Sequence, residues 1–334
     1  MAARFATHAG SWYTEDEPIL NGELDAWLAE VPGAPDGPPF KGCKAIIAPH
    51  AGYSYSGPTA AWAYKSIDTT GIKRVFILGP SHHVYLEGCA ITSCSKYSTP
   101  LGDLPIDEDT NSELQKTGNF DLMSLSTDQD EHSIELHLPY VRKIFDGVDI
   151  KIVPILVGSL KLQQERRFGE ILAPYLASPD TLFVISSDFC HWSVFPLGSR
   201  FSYTFYYPTP LPCSNPTRLT RNSNTTSLIQ RPIHQSITDL DHEAMDILAL
   251  DPSSASTRDA HAAFAAYLAR TKNTICGRHP IGVLLGALTA IERGLDADQG
   301  GKKVTLRWVR YAQSSPCVDV RDSSVSYASA YVVF

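Results

Sequence analysis

The stretch "RVFILGPSHH", residues 74–83, decides the fold class. Valine, phenylalanine, isoleucine and leucine follow one another without a polar break. A glycine, a proline, a serine and two histidines then end the run. A strand with one wet face alternates apolar and polar residues. A run that is apolar at every position belongs to a strand covered on both faces, as in a parallel sheet. "KAIIAPH" (44–50), "IKIVPILVG" (150–158) and "TLFVISSDFCH" (181–191) read as further buried strands. Helical stripes lie around them: Leu20, Leu24, Trp27, Leu28 and Val31; Ile134, Leu138, Val141 and Phe145; Phe168, Ile171, Leu172, Tyr175 and Leu176; Ala260, Phe264, Tyr267 and Leu268. Strands alternating with helices predict a layered α/β fold, with a mostly parallel or mixed central sheet flanked by helices. "VTLRWVRYA" and "SVSYASAYVVF" add late strands, expected at the sheet edge and partly antiparallel.

The 334 residues, 43% hydrophobic and 19% charged, suffice for a large core, and a single domain over 1–334 is expected. The formal net charge is −8, with Lys and Arg scattered, which argues against a nucleic-acid partner. The longest apolar run, "IGVLLGALTAI", is too short to span a bilayer. The seven cysteines (43, 89, 94, 190, 213, 276 and 317) are irregularly spaced with no CxxC pair, and the N-terminus has no apolar signal segment. Free thiols in the cytoplasm, with the nucleus as a second location, are expected. Residues 208–233 hold five prolines, many Ser, Thr and Asn and no acidic residue, and read as a surface-loop or disordered insert.

Ligands of open α/β sheets bind beyond the carboxyl ends of the strands. Three strands here end in histidine-bearing turns: His50 in "APHAGY", His82 and His83 in "GPSHH", and Asp188, Cys190 and His191 in "SSDFCHW". A tight turn rarely aims two successive side chains at one point, so His82 reads as the site residue and His83 as its solvated neighbour. Asp188 either caps the following turn or belongs to the site. Cys190 reads as a buried thiol. Cys276, in "NTICGRHPIG", precedes a helix whose N-terminal N–H groups favour a thiolate, a nucleophile and soft metal ligand. In "DEHSIELHLPY" (130–140) His137 reads as a core-flanking histidine, and His132 as an option facing the rim from the helix start. His8, His234, His242 and His261 are placed in loops or on helix surfaces without a role. Ser186 and Ser187 make no hydrolase triad with Asp188 and His191, and no G-x-S-x-G elbow occurs.

Eight segments in order, "HAGSWYT", "IIAPHAGYSYSG", "FILGPSHHV", "DEHSIELHLPY", "SSDFCHW", "NTICGRHPIG", "YAQSS" and "DSSVSYAS", resemble the Memo family, named as mediators of receptor-driven cell motility. The resemblance departs at 193–198 and across 208–233. It implies a fold similar to class III extradiol dioxygenases, non-haem iron enzymes that use two histidines and a carboxylate as ligands and a further histidine as acid/base. By that resemblance the metal ligands are His50, His82 and Cys276, with cysteine in the place of the carboxylate. His191 is the acid/base histidine with Asp188 beside it, and Trp12 and Tyr55 line the pocket, which in animal members is linked to phosphotyrosine peptides. Iron or copper, with zinc as an alternative, is the expected cofactor. Three function classes follow: a metal-binding protein with a redox role in signalling; a binding module that uses the pocket for a peptide or phosphotyrosine partner; and a metal-free enzyme with Cys276 as nucleophile.

Overall fold

The computed structural model describes residues 2–33, 37–193, 205–206, 216–220, 222–223, 231–251, 253, 256–294 and 302–334. Its centre is a mixed sheet of nine strands. The four apolar runs form its parallel heart, in the spatial order Cys43–Ala48, Thr181–Ser186, Arg74–Pro80 and Lys151–Val157. Successive side chains of a strand point to opposite faces. Ala45, Ile47, Phe76, Leu78, Val153, Ile155, Phe183 and Ile185 accordingly face one hydrophobic layer, and Ile46, Ala48, Val75, Ile77, Ile152, Leu182 and Val184 face the other. Each of these side chains is essentially inaccessible. Burying one isoleucine or leucine contributes about 1.5–3 kcal/mol, so the continuous apolar runs specify a sheet covered on both sides.

Helices supply the covers. Leu162–Ala177, Ile233–Leu248, Thr257–Thr271 and Arg278–Arg293 bury apolar residues against the first layer. Glu17–Glu30, Tyr53–Lys65 and Leu138–Ile144 do so against the second. Helices Leu162–Ala177 and Arg278–Arg293 cross closely: a Cβ on Gly169 would lie 2.4 Å from the Ala287 nitrogen, and one on Gly282 2.4 Å from the Glu165 carboxyl carbon. That contact fixes the helix that follows Cys276.

Three expectations are corrected. The run 181–191 is two strands: Thr181–Ser186 is parallel to its neighbours, whereas Asp188–Trp192 pairs antiparallel with Ser324–Val333 through a register shift. The polar triplet Ser186, Ser187 and Asp188 reads as a strand end leading into the site, and nothing local shows that a second strand with a new partner begins there. Second, only one late strand lies at the sheet edge. Thr305–Gln313 is there, but Ser324–Val333 is interior, bonded to Asp188–Trp192, Cys43–Ala48 and Thr305–Gln313. Its small residues Ser326, Ala328 and Ala330 are fully buried, which lets it pass through the core. Both are antiparallel, as expected. Third, the stripe from Ile134 to Phe145 is broken into His132–Glu135 and Leu138–Ile144, with a turn at Leu136 and His137.

The six described cysteines are free thiols, and five are buried. No helix among the described residues is long and apolar enough to cross a membrane. The insert expected at 208–233 lies largely outside the described residues. Within it, Thr217–Arg218 pairs with Phe205–Tyr206, Leu219 is buried, and Ile233 already begins a helix.

Candidate metal centre

The parallel strands deliver their polar residues to one rim. His50 follows Cys43–Ala48 by two residues, His82 follows Arg74–Pro80 by two, Ser186 ends its strand, and Asp188 opens the next. Two glycines let other segments close over this rim. A Cβ on Gly79 would lie 2.5 Å from Ser133 Oγ, and one on Gly277 2.3 Å from the Ser186 carbonyl oxygen. Gly79 therefore admits the 131–134 segment, and Gly277 admits the turn that carries Cys276.

Hydrogen bonds fix which nitrogen of each imidazole can ligate. The Ser186 hydroxyl donates to the Ser133 carbonyl at 2.7 Å. Its single proton is thereby used, so toward His50 Nδ1, at 2.6 Å, it accepts. His50 Nδ1 carries the proton and Nε2 carries the lone pair. His82 Nδ1 lies 2.8 Å from Glu131 Oε1, and the His82 backbone N–H donates to Glu131 Oε2 at 2.7 Å. Burial opposes ionisation of Glu131, but the bond and charge of His82 prevail and hold its carboxyl down to about 2. An ionised carboxylate only accepts, so His82 Nδ1 is protonated and Nε2 is its ligating nitrogen. Metal-binding histidines are held in this way, by a partner on the ring nitrogen that does not face the ion.

The donors converge. Cys276 Sγ lies 3.2 Å from His50 Nε2, and Asp188 Oδ2 lies 3.9 Å from the same nitrogen. Two groups of three donors have all their ligand atoms within 4.8 Å of one another: His50, Asp188 and Cys276, and His50, His82 and His132. The expected trio of His50, His82 and Cys276 is divided between them. Asp188 thus belongs to the donor cluster itself, and its Oδ1 also accepts the His50 backbone N–H at 2.9 Å.

Burial sets the protonation of the cluster. It holds His50 well below its ordinary value, helped by the neighbouring imidazoles, and holds His132 down to about 3. Both rings are neutral and able to ligate. Burial pushes Asp188 up to about 7 against the pull of the His50 N–H. Burial and the adjacent Asp188 push the Cys276 thiol well up, although the N–H groups of Asp188 and Gly277 favour the thiolate. The expected helix-terminus effect is present and is outweighed. A cation beside Sγ and Oδ2 would reverse both shifts, because it takes the place of the protons.

His191 donates from Nδ1 to the Phe189 carbonyl at 2.8 Å, which leaves Nε2 as its basic nitrogen, and burial lowers its pKa. It lines a cleft of about 440 Å³ with Tyr55, Ser193, Ser314, Ser324 and Tyr327. Trp12 is not among the residues lining that cleft; it packs on His132 with ring centroids 4.4 Å apart. His83 is exposed, and Cys190 is a buried thiol, as read from the sequence. His137 is fully buried, with Nδ1 2.7 Å from the Tyr64 hydroxyl. His261 is not on a surface: it is buried and bonds Glu165 at 2.8 Å.

A family model described as Memo-like protein matches residues 4–331. The human protein MEMO1 is 45% identical over 332 residues, covering 98% of this chain and 97% of its own. The zebrafish (Danio rerio) MEMO1 is 44% identical over 336 residues, covering 100% and 98%, and the Caenorhabditis elegans memo-1 homolog is 42% identical over 327, covering 98% and 81%. The chain belongs to the Memo family. Among solved structures, the uncharacterized protein JW3007 from Escherichia coli K12 aligns over 85% of this chain and 98% of its own, at 12% identity and a TM-score of 0.44, too distant to argue from.

For this Memo-family chain, sequence reasoning missed Glu131 and the Ser186 to Ser133 link. The only sequence signal for Glu131 is its place beside His132, because its bond to His82 spans 49 residues. Two outcomes are expected. Replacing Glu131 by Gln, which keeps the shape and removes the anion, lowers metal affinity about 10–100-fold in a titration while the circular-dichroism spectrum is retained. The second concerns pH. His50, His132, His137 and His191 all have folded-state values below their ordinary one. For a base with a depressed value, the unfolded chain binds the proton that the folded chain refuses. The stability these four histidines contribute is therefore full above about 6.5 and falls as pH drops below it, offset in part by Asp188 and Asp241, whose raised values favour the folded state as pH falls. Urea unfolding of the metal-free protein shows lower stability at pH 5 than at pH 7, and His137→Gln reduces that difference by up to about 2 kcal/mol.

Proposed function

We propose that the chain is a metal-binding protein that holds a redox-active ion, iron(II) or copper with zinc as the closed-shell alternative, on His50, His82 and Cys276. The observation that carries this reading is the fixed tautomer of two strand-end histidines, His50 buried and His82 partly so, beside a thiol and a carboxyl group. Two imidazoles and a thiolate are too soft for magnesium or calcium and suit iron, copper or zinc. An iron or copper ion there would supply dioxygen or superoxide chemistry. The chain's own groups then serve as proton carriers. Asp188, ionised beside a bound cation, offers carboxyl oxygens that accept a proton, and His191 Nε2 is a second acceptor. The redox role is assigned to cytoplasmic signalling linked to cell motility and the cytoskeleton, on the strength of the family resemblance.

The two competing readings have less support. A phosphotyrosine pocket needs cations for charge-assisted hydrogen bonds, and no Lys or Arg is among the described residues lining the Tyr55 and His191 cleft. A nucleophilic Cys276 needs a depressed thiol pKa, and burial moves it the other way.

Metal analysis of protein purified anaerobically with reduced thiols tests the proposal. Stoichiometric iron, copper or zinc is expected in the wild type, with strong loss in His50→Ala and His82→Ala and a changed metal preference in Cys276→Ser. A reduced wild type without a stoichiometric metal sinks it.

A further inference from the structure

His132 has no place in the ligand set above, yet the structure surrounds it as it surrounds a ligand. Its donor atom and those of His50 and His82 all lie within 4.8 Å of one another. The Glu131 carboxylate that holds His82 Nδ1 at 2.8 Å also lies 3.5 Å from His132 Nδ1. One buried anion thus stands beside both rings and offsets the charge of a cation that they share. The His132 ring stacks on His82 at 4.4 Å, inclined by 21°, and is covered on another side by Trp12, also at 4.4 Å. Its side chain is 13% exposed.

His50 imposes the second constraint. Its Nδ1 is committed to Ser186, so only Nε2 can ligate, and one nitrogen serves one ion. The group with Asp188 and Cys276 and the group with His82 and His132 therefore cannot each hold a separate ion through His50. They are alternative surroundings for a single ion. Tetrahedral bonds of about 2.0 Å need nitrogens about 3.3 Å apart, and an imidazole lone pair lies in the ring plane, so the reserve set requires the His132 ring to turn out of its near-parallel stack on His82 to face the ion.

We propose that His132 is a reserve ligand: when the Cys276 thiolate is withheld, the ion stays on His50 and His82 and is completed by His132, in an all-imidazole set. This rests on the metal reading above. It makes metal retention independent of the state of the thiol, while the donor softness, and hence the preferred metal, changes with it.

Cobalt(II) titration of the metal-free protein under reducing conditions, read by its absorption spectrum, tests this in a double-mutant cycle. The variants are Cys276→Ser, His132→Phe and the double variant, with folding checked by circular dichroism. Phenylalanine preserves a ring between Trp12 and His82. The wild type is expected to bind a single equivalent with a thiolate-to-cobalt charge-transfer band. Cys276→Ser is expected to bind a single equivalent without that band. His132→Phe then costs at least about tenfold more affinity in the Cys276→Ser background than in the wild type. Equal penalties in the two backgrounds, a Cys276→Ser variant that binds no cobalt, or two equivalents in the wild type each overturn the inference while the metal reading stands. A wild type that binds no cobalt overturns the metal reading itself.

Discussion

A single hydroxyl proton, that of Ser186, organises the centre. It goes to the Ser133 carbonyl, and the same oxygen then receives the His50 Nδ1 proton. Three parts of the chain are tied in this way: the end of a parallel strand, the turn after its neighbour, and the segment that carries Glu131 and His132. The Ser133 hydroxyl returns the link by donating to the Pro80 carbonyl, just before His82. Both strand-end histidines therefore depend on one short polar chain buried against the sheet. In a site of low dielectric such a chain, being fully satisfied, orients its members strongly.

The relation between cysteine and carboxylate is changed by the geometry. The resemblance puts Cys276 where related enzymes have a carboxylate, as though one donor had replaced another. Here the two stand side by side: the Asp188 backbone N–H donates to Cys276 Sγ at 3.2 Å, and the Asp188 carboxyl lies within reach of the same His50 nitrogen. The cluster holds a carboxyl group and a thiol together. In the metal-free protein both are pushed toward their protonated forms, so the affinity for a cation and the acidity of these groups are two sides of one equilibrium.

Much of this was legible in the sequence, for physical reasons that can be named. Continuous apolar runs reported the parallel strands, because a strand covered on both faces has no polar side. The strand ends reported His50, His82 and Asp188, because open α/β sheets gather ligands there. Cys276 was marked by the helix that follows it. Glu131 was not legible, since nothing local distinguishes a carboxylate that bonds a histidine 49 residues away from one that faces solvent. The interior position of Ser324–Val333 was hidden for a similar reason. Its small residues Ser326, Ala328 and Ala330 look like those of an edge strand, until its neighbours show that small side chains are what the crowded core admits on that face. The polar triplet at Ser186 to Asp188 is visible as a strand end, but the new strand that starts there takes its partner, Ser324–Val333, from far along the chain.

The central claim is that a thiolate and two oriented imidazoles hold one ion. X-ray absorption at the metal edge of anaerobically loaded, reduced wild-type protein tests it most directly. The account predicts a sulfur neighbour at about 2.3 Å together with nitrogen or oxygen neighbours at about 2.0–2.1 Å, the sulfur being lost in Cys276→Ser. A reduced wild-type protein whose ion has only nitrogen and oxygen neighbours would contradict it.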